Sequence, residues 1–381
     1  MPLSPVLSEQ SPYPFVRLEE AKRRKAAEGV HILDFGTGDP RGVPDQPIRR
    51  ALADALDQAT GYPLAQGLPE LRGAVADWLG RRFGVEVDSE REVIPTYGSK
   101  EAIFTFAQVV VDATEGKDLV LLPDPAYPVY ERGALFAGAR VERMPLEAAR
   151  GFLPDLDAVE EATWERAAIV WVNYPNNPTA SVAPRGLYER LAALADGYGF
   201  LLASDEAYSE LWFEGPPPSA LEAGRSNVVV FNTLSKRSSM TGYRSGFVAG
   251  DERVVSALRK FRPGIGTAPQ TFVQRASVVA WQDEDHVARN REAYGRKRAL
   301  FLEAFARKGV RVAGSAATMY LWIEVPAGET SEAFAGRLLD RGVVVAPGSY
   351  LGAAGEGYVR LALVPAEEEC RAAIEILDEI L

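Results

Sequence analysis

A single cysteine, Cys370, stands in the 381-residue chain, which excludes an intrachain disulfide and any metal site built from several thiolates. It falls in the amphipathic C-terminal pattern and reads as a helix residue. Histidine is almost as scarce: His31 and His286 both lie outside the motifs described below, which argues against a hydrolytic triad with histidine as base. Both read as structural or exposed. Long apolar runs are missing too, since no stretch approaches the roughly 18 residues of a membrane helix and no charged-then-apolar leader is present. The expectation is a soluble, cytoplasmic protein with no membrane partner. The formal charge is −11, and the one cationic cluster, Lys22, Arg23, Arg24 and Lys25, is flanked by Glu19, Glu20 and Glu28. That is the text of a helix's solvated face, and it argues against a nucleic-acid partner held through phosphates.

What is present is an alternation. Short apolar runs end near Tyr97, Pro123, Asn173, Ser204 and Thr233, each followed by Gly, Pro, Asn or Asp and most by helical spacing. This predicts an α/β fold whose central sheet is mainly parallel, with one functional rim at the strands' C-terminal ends. From Asp283 to Lys308 the charged text predicts a long helix crossing to a smaller α+β part, whose strands fall at Val310 to Val312, Met319 to Glu324 and Val343 to Ala346. The expected division is an arm plus part of the small domain over 1–44, a large domain over 45–270 and a small domain over 271–381. Pro2 to Pro14, with its prolines, reads as an extended arm, and Val30 to Phe35 as a short strand.

The rim carries the candidate chemistry. After the run Asn227 to Phe231, Lys236 is expected in a polar loop, with Ser235 before it, Arg244 eight residues later, and Gly242 and Gly246 nearby. Hydroxyl plus guanidinium makes a phosphate site, and an amine beside it suits pyridoxal phosphate held as a Schiff base; a surface loop with two solvated cations satisfies the same text. Tyr97-Gly98-Ser99-Lys100-Glu101 opens a helix expected from about Ala102. Free N–H groups and the helix dipole there favour a phosphate, unless Ser99 merely caps the helix. Tyr127, between two prolines, can lie flat on a planar cofactor or be a core tyrosine. In NYPNNPT the amide of Asn177 is placed to donate to a ring oxygen, and in SDEAYSEL the buried Asp205 needs a partner such as a pyridinium nitrogen, with Tyr208 three residues on. Arg360, in a strand of apolar residues, calls for an anion such as a substrate carboxylate. Gly36 and Gly38 sit in a turn, and Tyr62 in a Gly/Pro-rich loop.

In order along nearly the whole chain, GTGDP, GYPLAQGLPELR, YGSKE, NYPNNPT, SDEAYSEL, SKRSSMTGYRSG and YVRLAL resemble the fold-type I pyridoxal-phosphate enzymes, the aspartate aminotransferase superfamily. The resemblance implies Lys236 as cofactor-binding amine and proton shuttle, Asp205 on the pyridine nitrogen, and Asn177 and Tyr208 on the ring oxygen. It implies Tyr127 stacked on the ring, Gly98, Ser99, Ser235 and Arg244 on the phosphate with Lys100 beside them, and Gly38, Asn177 and Arg360 on the substrate carboxylate. Tyr62 would reach the phosphate of a neighbouring subunit's cofactor, which implies a homodimer. One departure is visible: Ala180 stands where the family usually has glycine after Asn-Pro-Thr. Within the superfamily the text looks most like N-succinyldiaminopimelate aminotransferases of lysine biosynthesis, which move nitrogen between glutamate and a keto acid. LL-diaminopimelate, alanine and aromatic aminotransferases, and carbon–sulfur lyases, share much of it. For the far end of a succinylated substrate, the candidates are Lys100 and Arg41.

Overall fold

The structure, a computed structural model, describes residues 4–9, 14–58 and 61–381. After the two-residue strand β1 (Leu33–Asp34) come β2 (Val93–Thr96), β3 (Leu119–Asp124), β4 (Arg140–Pro145), β5 (Ala167–Asn173), β6 (Leu201–Asp205), β7 (Val228–Thr233) and β8 (Gly246–Gly250). Strands β2 to β8 form one seven-stranded sheet in the order β2-β8-β7-β6-β5-β3-β4. All run parallel except β8, which opposes both of its neighbours. Apart from the charged, mostly exposed edge strand β4, the strands read as unbroken apolar runs because both faces are covered. Val170 and Val172 of β5, with Val228 and Val230 of β7, pack into a core with Trp78 and Trp281. Their neighbours Ile169, Trp171, Val229 and Phe231 pack on the opposite face against Phe106, as the two-residue period of a strand requires.

A second body of structure follows the long helix Asp285–Arg307: β9 (Val312–Gly314), β10 (Tyr320–Glu324), β11 (Val343–Val344), β12 (Ala346–Pro347) and β13 (Tyr358–Ala362). Four of these form an antiparallel sheet, β12-β13-β10-β9, while β11 pairs in parallel with β1. Phe35, Phe301, Phe305, Leu361 and Leu377 meet in its core. The N-terminal segment therefore packs with the C-terminal part, although the paired residues of β1 and β11 stand 310 positions apart.

Several local expectations are corrected. Pro5–Glu9 is helical rather than extended, Pro5 taking the first helical position, where its missing N–H costs nothing. The rest of the expected arm, residues 1–3 and 10–13, lies outside the described residues. The strand expected over Val30 to Phe35 is paired only at Leu33–Asp34, because β11 offers just two partner residues. The helix after Gly98 begins at Ser99, not near Ala102. Lys236 lies not in a loop but in a single helical turn, Leu234–Arg237, which Thr233 caps by accepting a hydrogen bond from the Ser235 N–H.

Candidate active site

The C-terminal ends of β5, β6 and β7 bring Asn173, Asp205 and Thr233 to one edge of the sheet, Asn173 opposite Asp205 in register. A cavity of about 880 Å³ opens there, lined among others by Ser99, Lys100, Tyr127, Asn177, Asp205, Tyr208, Ser235, Lys236 and Arg244. Gly38 and Arg360 reach it from the second body. Most of the residues singled out in the sequence thus share one cavity. Tyr62 does not: it is fully exposed on this chain.

One end of the cavity is built for an anion. Gly98 precedes the helix Ser99–Val110 with φ of 73°, and a Cβ there would stand 2.5 Å from Nη2 of Arg244. Only glycine lets the guanidinium come this close to the helix N-terminus, where free N–H groups and the dipole already favour negative charge. Ser99 is the first helical residue and makes no capping bond, so the cap reading fails. Arg244 itself has φ of 57°, an uncommon conformation for a non-glycine residue that functional sites often retain. It donates to the carbonyls of Thr241 (2.8 Å) and Tyr97 (3.4 Å). Glu101, in the same first turn, is paired with the buried Arg262.

At the centre lies the lysine. Lys236 Nζ donates to the Gly38 carbonyl at 2.7 Å. Desolvation pushes its pKa down to about 8, with Arg360 and Arg244 adding in the same direction against Asp39 and Asp205. At pH 7.5, roughly a quarter of such amines are neutral and nucleophilic, against about a thousandth for an ordinary lysine. A Cβ on Gly38 would fall 2.0 Å from the Tyr320 hydroxyl, so glycine is what allows this contact beside Tyr320.

Asp205 is 4% exposed. Burial raises its carboxyl to about 6, although the Tyr130 hydroxyl donates to it at 2.7 Å and the Ala207 N–H at 3.1 Å. A carboxylate held at this cost and opening on a cavity suits a cationic ring nitrogen. Arg360, 3% exposed, donates to Asn177 Oδ1 (2.8 Å) and the Gly36 carbonyl (2.9 Å), while its Nε has no partner among the described residues. With Oδ1 so engaged, the Asn177 amide nitrogen is left for the cavity. Ala180 takes φ of 57°, which explains glycine's usual place there; the turn still forms, its N–H donating to Asn176 at 2.9 Å. The donor set at the anion end, the lowered amine, the buried carboxylate and the unmet guanidinium nitrogen together fit pyridoxal phosphate and a substrate carboxylate.

Sequence reasoning missed Tyr130 and Tyr320. Tyr130 stacks on Trp171 at 4.8 Å while serving Asp205, and Tyr320 shares a 3.0 Å hydrogen bond with Tyr208 and lies under the Arg360 guanidinium at 4.4 Å. Both stand in apolar text that gives no polar signal. Glu19 and Arg23, read as a solvated helix face, also line the cavity, as does Asp39. Arg41 does not; it pairs with Glu369 at 3.2 Å.

The model of the family described as aminotransferase class I and II matches residues 30–377. An LL-diaminopimelate aminotransferase of Aquifex aeolicus is 41% identical over 373 residues, 96% of either chain. Among solved structures, an aminotransferase from Neisseria meningitidis superposes with a TM-score of 0.92 at 38% identity, covering 99% of this chain and 100% of its own. A probable N-succinyldiaminopimelate aminotransferase from Thermus thermophilus does so with 0.90 at 34%, over 96% and 100%.

Proposed function

The chain belongs to the class I and II aminotransferases and is a pyridoxal-phosphate-dependent transaminase, and we propose that its amino acid is of the LL-diaminopimelate type, exchanged against glutamate and its keto acid. The observation that carries this is the charge of the cavity mouth. Beyond the inner residues, Glu19, Arg23 and Asp39 line it, Glu19 and Arg23 one helical turn apart on the helix Pro14–Ala27. A substrate whose far end is itself an amino acid brings one ammonium and one carboxylate to groups of both signs. A succinylated far end brings two carboxylates and no ammonium, so it offers no cation to Glu19 and Asp39. The name of the Aquifex relative points the same way. The succinylated substrate is the second reading, favoured by Arg23 and Lys100 at the same mouth and by the name of the Thermus relative.

In this reading Ser99, Ser235 and Arg244, with Gly98 clearing the way, hold the cofactor phosphate, and Lys100 lends positive charge nearby. Tyr127 covers the ring, Asn177 and Tyr208 bind its oxygen, and Asp205 keeps its nitrogen protonated. Bound there, pyridoxal phosphate supplies the electron sink for a substrate α-carbon that loses its proton. Lys236 Nζ would hold the cofactor and, once the substrate's amine has displaced it, would take that proton from the α-carbon and pass it on to the cofactor, a transfer that a pKa near 8 permits. Arg360, with Asn177 and Gly38, fixes the reacting carboxylate so that the α-proton faces the amine. Tyr62, exposed here, serves the partner's phosphate in the homodimer we propose. A cytoplasmic location fits the absence, among described residues, of a helix long and apolar enough to cross a membrane.

A panel of amino donors with 2-oxoglutarate tests the substrate. LL-diaminopimelate is expected to exceed the N-succinyl compound in kcat/KM by about tenfold or more, the worth of one charge-assisted hydrogen bond; the reverse order installs the second reading. Arg23→Ala is expected to raise KM for LL-diaminopimelate about tenfold and that for glutamate much less. Equal losses would remove Arg23 from the specificity site.

A further inference from the structure

The turn that carries Lys236 cannot hold itself. Leu234–Arg237 is four residues long, below the length at which a helix repays its nucleation cost. Its last carbonyls have no helical donors. Among the described residues, no backbone N–H reaches the carbonyls of Lys236 or Arg237. Both are instead met by one side chain from elsewhere: Asn290 Nδ2 donates to Lys236 O at 3.0 Å and to Arg237 O at 3.1 Å. With two carbonyl oxygens as partners, the amide can face the turn only through its nitrogen.

Asn290 lies on the long helix Asp285–Arg307, and His286 stands one turn before it on the same face. His286 Nε2 lies 2.8 Å from the Oγ of Ser238, the residue that ends the lysine's turn, and its Nδ1 lies 3.0 Å from Asp283 Oδ2. The acceptor on Nδ1 places the proton there, so Nε2 accepts from the Ser238 hydroxyl. His286 is 6% exposed and Ser238 2%, so water does not compete for the bond between them. Arg237 adds a third tie, donating to the Ala280 carbonyl and to Glu284 at 2.6 Å each. One turn beyond Asn290 comes Tyr294, and further along Phe301 and Phe305, which are buried in the core of the second body. The helix that fixes the lysine's backbone is thus anchored in the part of the molecule that also supplies Gly38, on which the lysine's amine rests, and Arg360.

We propose that Asn290, seconded by the Asp283–His286–Ser238 chain, is the positioning residue of the reactive lysine: it fixes the end of the lysine's turn from the long helix and thereby sets where Nζ stands relative to the substrate. Asn290 is not among the residues that line the cavity, and it acts through Lys236. Freed from it, the turn shifts by fractions of an ångström. A misplacement of about 1 Å can cost on the order of 10²-fold in rate, while the binding of the substrate carboxylate at Arg360 is left alone.

The test uses holoenzyme. Asn290→Ala is expected to lower kcat about tenfold with KM changed less than twofold. The pH titration of the bound cofactor's visible absorbance is expected to shift its midpoint by about half a unit, because that absorbance reports the surroundings of the lysine nitrogen. Asn290→Gln, which keeps the donor, is expected to recover part of both. A merely structural role would lower Tm while leaving kcat per bound cofactor and the titration midpoint in place, and that outcome overturns the proposal. If Asn290→Ala does not fold, Ser238→Ala replaces it. Losing one hydroxyl, that variant is expected to move kcat and the midpoint in the same direction by a smaller amount; an unmoved midpoint there is equally fatal.

Discussion

Lys236→Ala is expected to lower transamination by at least about 10⁴-fold, since it removes both the covalent attachment of the cofactor and the base that moves the α-proton. Borohydride should fix the cofactor to the wild-type chain on the peptide containing Lys236 and fix none to the variant. The variant should fold, because among the described residues the amine makes a single hydrogen bond, to the Gly38 carbonyl at 2.7 Å, of a kind worth about 1 kcal/mol. Full turnover by a folded variant, or capture on another lysine, would sink the assignment. Three cavity groups do not substitute for the amine: Arg244 and Arg360 cannot be deprotonated, and the Tyr208 hydroxyl is raised well above its ordinary value, first by burial and then by Tyr320.

Asp205→Asn is expected to act in opposite directions on stability and activity. The folded carboxyl has its pKa raised from 3.8 to about 6, mainly by burial. For an acid shifted upward, the charged form is the disfavoured one in the folded chain. The penalty is absent below the unfolded value, grows between about pH 4 and 6, and is complete above the folded value, where it amounts to something on the order of 3 kcal/mol. Asparagine keeps the shape without the charge, so the cofactor-free variant should melt a few degrees above wild type at pH 7.5 and level with it near pH 4. Its activity should nevertheless fall by roughly 10²-fold, the usual loss when one partner of a buried charge pair is removed. Calorimetry of the two cofactor-free proteins at both pH values, beside steady-state kinetics, checks this. A variant less stable than wild type at pH 7.5 would mean that the carboxylate's bonds to Tyr130 and Ala207 outweigh its desolvation.

Stability and function thus pull apart at Asp205, and the same holds more mildly at Arg244, whose left-handed conformation costs on the order of 1 kcal/mol. The strain is local and the surrounding sheet bears it. Only Ser245 separates Arg244 from β8, and β8 is hydrogen-bonded on both sides.

Much of this was written in the chain. Apolar runs closed by Gly, Pro, Asn or Asp are a local signal, and they located the strands and the rim because a buried parallel strand has no other text to use. Lys236, Asp205, Asn177, Arg244 and Arg360 were legible for a related reason: a charged or amide group within a buried strand or a few residues from one stands out against its neighbours, and burial makes it costly unless something answers it. What stayed hidden is what depends on a partner distant in sequence. Tyr130 and Tyr320 look like any core aromatic until folding sets one against Asp205 and the other against Tyr208. Glu19 and Arg23 read as solvated because helical spacing says which residues share a face and is silent on what that face meets; only the packing of Leu18 with Val344 and Ala346 turns it over the cavity. Asn290 is the extreme case, an ordinary polar residue in a charged helix. Its two bonds to carbonyls 53 and 54 residues away exist because tertiary packing, and no local rule, lays the long helix against the end of the lysine's turn.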